Sequence, residues 1–174
     1  MSYAIVVSSR TGNTKKLADI ILDTLKEKEV LYCGEISEEA KKADVLFIGF
    51  WTDKGTCDEP MQNFLHGLKG KQIFLFGTAG FGQSQEYFHQ ILERVKKEIP
   101  EGNEIIGSYM CQGKMPMAVR ERYVQLQKED SNNKRYEMLI KNFDEALSHP
   151  DQMDFEQLKK VLLGLENNND SCYA

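Results

Sequence analysis

Short blocks of consecutive apolar residues alternate along the chain with longer blocks in which apolar residues recur every third or fourth position. Residues 3–8, 30–33, 45–50, 73–76 and 105–111 form the first kind. They are too short for helices and too continuously apolar for strands with one wet face, so they predict five strands covered on both sides. Between them, Leu17, Ala18, Ile21 and Leu25 mark a helix over 13–28, residues 58–68 predict a second, and Phe88, Ile91, Leu92, Val95 and Ile99 form the stripe of a third. Pro100-Glu101-Gly102 stops that helix before the fifth strand. The alternation predicts an α/β domain with a parallel sheet.

Three more helical patterns follow: Val119, Tyr123 and Leu126; Tyr136, Leu139, Ile140, Phe143 and Leu147; and Phe155, Leu158, Val161, Leu162 and Leu165. One is needed to cover the sheet beside the fifth strand, and the others are extra to a five-stranded domain; covering the sheet is the expected role for them too. His149-Pro150-Asp151 separates the last two, and Asn167-Asn168-Asn169-Asp170-Ser171 reads as a fraying polar end. The expected organisation is one domain over 1–165 with a polar tail over 166–174.

The 174 residues are 41% apolar and 28% charged, enough for a self-sufficient core. A net charge of −5 argues against nucleic-acid binding, which needs a basic face. No apolar run reaches the ~20 residues of a membrane span, and the start lacks a basic leader segment, so no membrane association and a cytoplasmic location are expected. Cys33, Cys57, Cys111 and Cys172 stand far apart, which predicts free thiols and no metal site.

In an open parallel sheet the ligand crevice lies beyond the carboxyl ends of the strands, so the loops there carry the chemistry. After the first strand, Ser9-Arg10-Thr11-Gly12-Asn13-Thr14 opens a helix with hydroxyls, an amide and a glycine. This suits either a nest for one phosphate or a plain helix cap. The spacings of dinucleotide and P-loop phosphate sites are absent. After the third strand comes Trp51-Thr52-Asp53-Lys54-Gly55, where Trp51 either stacks on a planar ligand or packs into the core. After the fourth, the glycine-flanked aromatic of Gly77-Thr78-Ala79-Gly80-Phe81-Gly82 points to ring stacking. His66, His89 and His149 read as structural, and no catalytic triad or carboxylate pair is evident.

Over residues 3–112 these loops resemble the flavodoxin family. Ser9-Arg10-Thr11-Gly12-Asn13-Thr14 matches its [ST]-x-T-G-x-T phosphate signature, and Gly77 to Gly82 its G-x-x-G-[aromatic]-G loop. The resemblance implies a doubly wound sheet of order 2-1-3-4-5 with extra C-terminal helices, and non-covalently bound FMN. Backbone amides of residues 10–14 with the hydroxyls of Ser9, Thr11 and Thr14 would hold the phosphate. Arg10 departs from the family's uncharged cradle and is expected to face solvent. Phe81 on one side and Trp51 or Thr52 on the other would flank the ring, with Thr78, Ala79, Gly80 and Gly82 along its polar edge. The peptides joining Asp53, Lys54 and Gly55 would respond to its redox state. Asp53, Asp58 and Glu59 would disfavour the anionic reduced ring and give a low potential.

The implied function is a low-potential one-electron shuttle between a reductase donor and an enzyme acceptor, rather than a stand-alone enzyme. An NAD(P)H-dependent quinone or azo reductase is the alternative, with the Lys114-Met115-Pro116-Met117 loop and the helices after it as a lid. A non-redox interaction module on the same fold is the third reading. A receiver domain lacks its acidic cluster here, and no C-x5-R phosphatase motif occurs.

Overall fold

A computed structural model describes residues 1–82 and 84–171. Its centre is a five-stranded parallel sheet: β1 (Ser2–Val7), β2 (Glu29–Gly34), β3 (Val45–Trp51), β4 (Gln72–Ala79) and β5 (Glu104–Gln112), in the order β2-β1-β3-β4-β5. The strand order and five-strand count agree with expectation. β4 continues three residues beyond the predicted 73–76, because the nine-residue β5 keeps pairing with it through Gly77–Met110, Thr78–Cys111 and Ala79–Gln112. Thr78 and Ala79 are therefore strand residues, and the third loop begins at Gly80.

Side chains alternate across a strand, which explains two cores from one set of apolar runs. Leu46, Ile48 and Phe50 of β3 pack on one face with Met61, Phe64 and Leu65 of α2 (Glu59–His66) and with Phe88, Ile91 and Val95 of α3 (Gln85–Lys96). Val45 and Phe47 pack on the other with Leu17 and Ile21 of α1 (Asn13–Thr24) and with Leu158 and Leu162 of α6 (Gln152–Ser171). Both α2 and α3 start at side-chain caps: Asp58 accepts from the Met61 amide at 3.3 Å and Ser84 from the Tyr87 amide at 3.1 Å.

The three C-terminal helices divide in role. α6 covers the α1 face of the sheet, as one of them had to, and it continues through the predicted polar tail to Ser171; residues 172–174, including Cys172, lie outside the described residues. The other two do not share that job. α4 (Met117–Glu129) has no buried residue, and it pairs with α5 (Lys134–Ala146) in a hairpin closed by a two-bond contact from Arg120 to Asp144, at 2.7 and 3.1 Å. This contact holds the Asp144 carboxyl below its usual range. α5 instead meets the carboxyl end of the sheet through the buried Asn142, which bonds Gly80 and the Gln112 side chain.

Candidate cofactor site

The first loop ends in a helix start with no side-chain cap. Gly12 is the N-cap residue of α1 at φ 85°, a conformation that favours glycine, and open space lies where a Cβ would stand. The first turn of α1 carries no acidic residue. Its leading N–H groups are thus left for a ligand, with the positive end of the helix dipole behind them. Asn13 lies beside them, 5% exposed, with Oδ1 buried and unpartnered while Nδ2 donates to the Lys114 carbonyl at 2.8 Å. An unpartnered polar atom and an uncapped helix start both fit an anionic group at this point.

A cavity of about 300 Å³ opens next to this start, at the carboxyl ends of β3 and β4. Arg10, Thr11 and Asn13 of the first loop line it, as do Trp51, Thr52, Lys54 and Gly55 of the second and Thr78, Ala79, Gly80 and Phe81 of the third. Sequence-predicted residues from all three loops therefore converge. Ser9, Gly12, Thr14, Asp53 and Gly82 are not on this wall.

Thr14, expected among the phosphate-binding hydroxyls, is turned toward the sheet. It is fully buried, and its hydroxyl donates to the Phe50 carbonyl at 3.2 Å and lies 3.1 Å from the Thr78 hydroxyl. The side chain ties α1 to β3 and β4, because the helix rises directly over the sheet there. Gly82 is displaced in a different direction: a Cβ on it would meet the Gln112 side chain at 2.6 Å, and it borders a separate depression between α3, β5 and α6.

The second loop is a two-residue turn. Asp53 and Thr56 exchange both backbone bonds, at 2.8 and 3.1 Å, with Lys54 (φ 49°) and Gly55 (φ 85°) at the tip. Both tip residues have positive φ, the signature of a type I′ turn. Arg94 of α3 donates to the Gly55 carbonyl at 3.1 Å. At the base of this loop, Asp58 accepts from Trp51 Nε1 at 3.1 Å and from the Ser8 hydroxyl at 2.6 Å, which fixes the indole at the mouth of the cavity. The second and third loops are joined where Thr52 gives its amide and hydroxyl to the Thr78 carbonyl, at 3.0 and 2.8 Å.

Arg10 is exposed. Its guanidinium stands over the indole of Trp51, 5.3 Å from the ring centroid, in a cation–π contact. Asp53, Asp58 and Glu59 are absent from the cavity wall, where Arg10, Lys54 and Lys114 supply positive charge instead. Asp58 is occupied as the cap of α2 and the anchor of Trp51.

On the far side Phe81 is 36% exposed and meets Tyr87 edge-on, ring centroids 6.4 Å apart. The Gly80 carbonyl next to it is held by two amides, Gln112 Nε2 at 2.9 Å and Asn142 Nδ2 at 3.1 Å, while Gln112 also donates to Asn142 Oδ1 at 3.2 Å. In a trans peptide the N–H points opposite to the C=O. The Phe81 N–H accordingly faces away from these amides.

A fourth loop completes the wall, and sequence reasoning used it only as the lid of the alternative enzyme. Gly113, Lys114, Met115, Pro116 and, in α4, Val119 line the cavity together with Tyr87. The Lys114 carbonyl accepts from Asn13 and, at 3.4 Å, from Thr11, and the Lys114 amide donates to the His149 carbonyl at 3.0 Å. Met115 packs on Gly80, where a Cβ would stand 2.4 Å from its sulfur. The position of this loop after a strand, at the carboxyl end of the sheet, was the signal available. None of the three histidines lines the cavity. Of the described cysteines all are free, and burial pushes the Cys57 thiol up to about 11.

A sheet of this order with a phosphate-sized helix start and an aromatic slot at its carboxyl end defines a mononucleotide-binding α/β protein. The family described as Flavodoxin domain matches residues 4–163, and the chain belongs to it. With that membership goes the family's cofactor, FMN. The chain is 38% identical to the Flavodoxin-like domain-containing protein BilS of Clostridium symbiosum (strain WAL-14163), with 94% of this chain and 95% of that protein covered. It is 35% identical to the protein of the same description from Clostridioides difficile (strain CD3), covering 88% and 90%. Among solved structures, oxidised Flavodoxin 2 from Bacillus cereus shares the fold at a TM-score of 0.61 and 18% identity, with 97% and 99% covered. A short-chain flavodoxin associated with a non-canonical PDU bacterial microcompartment shares it at 0.58 and 21%, with 97% and 98% covered.

Proposed function

We propose that this chain is an FMN-dependent one-electron carrier serving protein redox partners in the cytoplasm. The observation that carries the reading is the pairing of an uncapped α1 start with an aromatic-edged slot beside it, a combination suited to one phosphate and one planar ring. The N–H groups opening α1 and the hydroxyls of Ser9 and Thr11 bind the phosphate, with the Asn13 side chain beside it. Phe81 covers one face of the ring, and Trp51, steadied by Asp58 and Arg10, bounds the other side. Bound FMN supplies one- and two-electron redox chemistry. The backbone around Gly80 and Phe81 orients the ring's polar edge, and the tip at Lys54 and Gly55 offers peptides that can reorient beside it. Free thiols at Cys33, Cys57 and Cys111 suit a reducing compartment, and no helix among the described residues is long and apolar enough to cross a membrane.

One observation favours a second reading, an NAD(P)H-dependent FMN reductase: Met115, Pro116 and Val119 add an apolar wall, of the kind an organic substrate uses, beyond the three family loops. Two measurements test both readings. Heat-released flavin from the purified protein identifies the cofactor, and one FMN per chain is expected. Stopped-flow mixing with NADPH and a quinone then separates carrier from enzyme. Oxidation of NADPH only when a separate reductase is added supports the carrier; prompt unaided turnover overturns it in favour of the reductase.

A further inference from the structure

Four cations surround the mouth of the cavity. Arg10, Lys54 and Lys114 are on its wall, and Arg94 reaches the Gly55 turn from α3. No Asp or Glu lines the cavity beside them. In a chain of net charge −5 this is a local reversal of sign.

The fold does not require these charges. Lys54 holds a positive-φ turn position that Asn, Asp or Gly fill at lower steric cost. Lys114 makes its structural bonds, to Asn13, Thr11 and His149, through its backbone alone, and its side chain is exposed. Gathering like charges costs repulsion, which a negative group brought to the mouth relieves. Between these cations the cavity wall carries apolar side chains, among them Trp51, Met115 and Phe81, the last 36% exposed. An apolar centre of aromatic and Met side chains within a charged rim is the anatomy of a protein–protein contact. Four charges around one opening do not make the extended stripe that a nucleic-acid backbone follows.

We propose that the mouth of the cavity is the docking surface for a protein redox partner that presents a carboxylate-rich patch. The inference rests on the carrier reading above. The local field steers such a partner to the ring edge in spite of the overall negative charge.

The test uses the FMN-loaded protein, reduced by dithionite and mixed with ferricyanide or with hexaammineruthenium(III). Each oxidant ion takes one electron, two ions per reduced flavin, and the flavin protons pass to buffer. Between roughly 10 mM and 0.5 M salt the ferricyanide rate is expected to fall about ten-fold, because screening removes an attraction, while the hexaammineruthenium rate does not fall. Lys54→Gln with Lys114→Gln should at least halve that salt slope, and Lys42→Gln, at a paired site, should leave it unchanged. A ferricyanide rate that rises with salt, as net charge alone dictates, overturns the proposal. A second readout is the pattern of amide NMR shifts caused by a short poly-glutamate peptide. Shifts confined to residues near Arg10, Lys54 and Lys114 support the proposal; shifts scattered elsewhere, or tighter binding of a DNA oligomer to the same residues, overturn it. Protein that takes up no FMN sinks the carrier reading, and the peptide map still decides the charge of the rim.

Discussion

The side-chain amide of Asn142, in α5, donates to the carbonyl of Gly80, at the head of the third loop, over 3.1 Å. The residue is 1% exposed, and its own Oδ1 is satisfied by Gln112 at 3.2 Å. A helix outside the five-stranded core thereby orients the peptide between Gly80 and Phe81. Asn142→Leu should cost about 1–3 kcal/mol of stability, the scale of a buried polar group losing a partner. It should also weaken FMN several-fold by loosening that peptide. Asn142→Asp should do more damage, because an oxygen then faces the Gly80 carbonyl. Urea denaturation and fluorimetric FMN titration check both, and an unchanged affinity in each variant would show that the clamp does not serve the ring.

The two threonines of the first loop should separate binding from folding. Thr11→Val removes a hydroxyl from the cavity wall and should weaken FMN about ten-fold or more, as a lost charge-assisted bond does, with little effect on the ligand-free protein. Thr14→Val removes the buried link to Phe50 and Thr78 and should destabilise the ligand-free protein by about 1–3 kcal/mol. Denaturation of the FMN-free variants decides, and the reverse pattern would place the Thr14 hydroxyl on the ligand side.

Phe81→Ala should lower affinity for oxidised FMN by up to about ten-fold, in line with aromatic contacts worth about 0.5–1.5 kcal/mol, and should shift the redox midpoints. Folding should be little affected, since the ring is more than a third exposed. Potentiometric titration and binding isotherms that both match the parent protein would remove Phe81 from the site.

Alkaline pH should weaken the fold in part through Cys57. Burial favours its neutral thiol and lifts its pKa to about 11, above the ~8.5 of an unfolded cysteine. Its contribution is therefore complete below pH ~8.5 and is lost progressively as pH rises toward 11. The same buried thiol should react with an alkylating reagent far more slowly than the exposed Cys33. Mass spectrometry after timed alkylation at pH 8 orders the two. Denaturation at pH 7.5 and 10.5 should show a smaller alkaline loss in Cys57→Ala than in the parent.

Much of this was readable along the chain. The apolar runs at 45–50 and 73–76 could only be doubly covered strands, because a water-facing strand would alternate. The first and third loops announced themselves through Gly12 with its flanking hydroxyls and through Phe81 between glycines. Local composition suffices for such features, since a strand, a helix start or a tight turn is decided by residues a few positions apart.

The fate of individual side chains was not readable, because it depends on residues tens to a hundred positions away. Whether the Thr14 hydroxyl faced a ligand or the sheet depended on how closely α1 lies over Phe50 and Thr78. Arg10 found Trp51 only once β1 and β3 were neighbours. The charges that line the cavity were out of reach for the same reason: Asp58 is near the site in sequence, but Trp51, Ser8 and the start of α2 claim its oxygens, while Lys114 arrives from beyond β5. The amino-acid order by itself determined the sheet, the glycine turn that opens α1 and the class of ligand, through local patterns. Only the tertiary structure decided which polar groups are used up inside the fold and which remain at the mouth, because hydrogen-bond partners and charges are assigned by proximity in space.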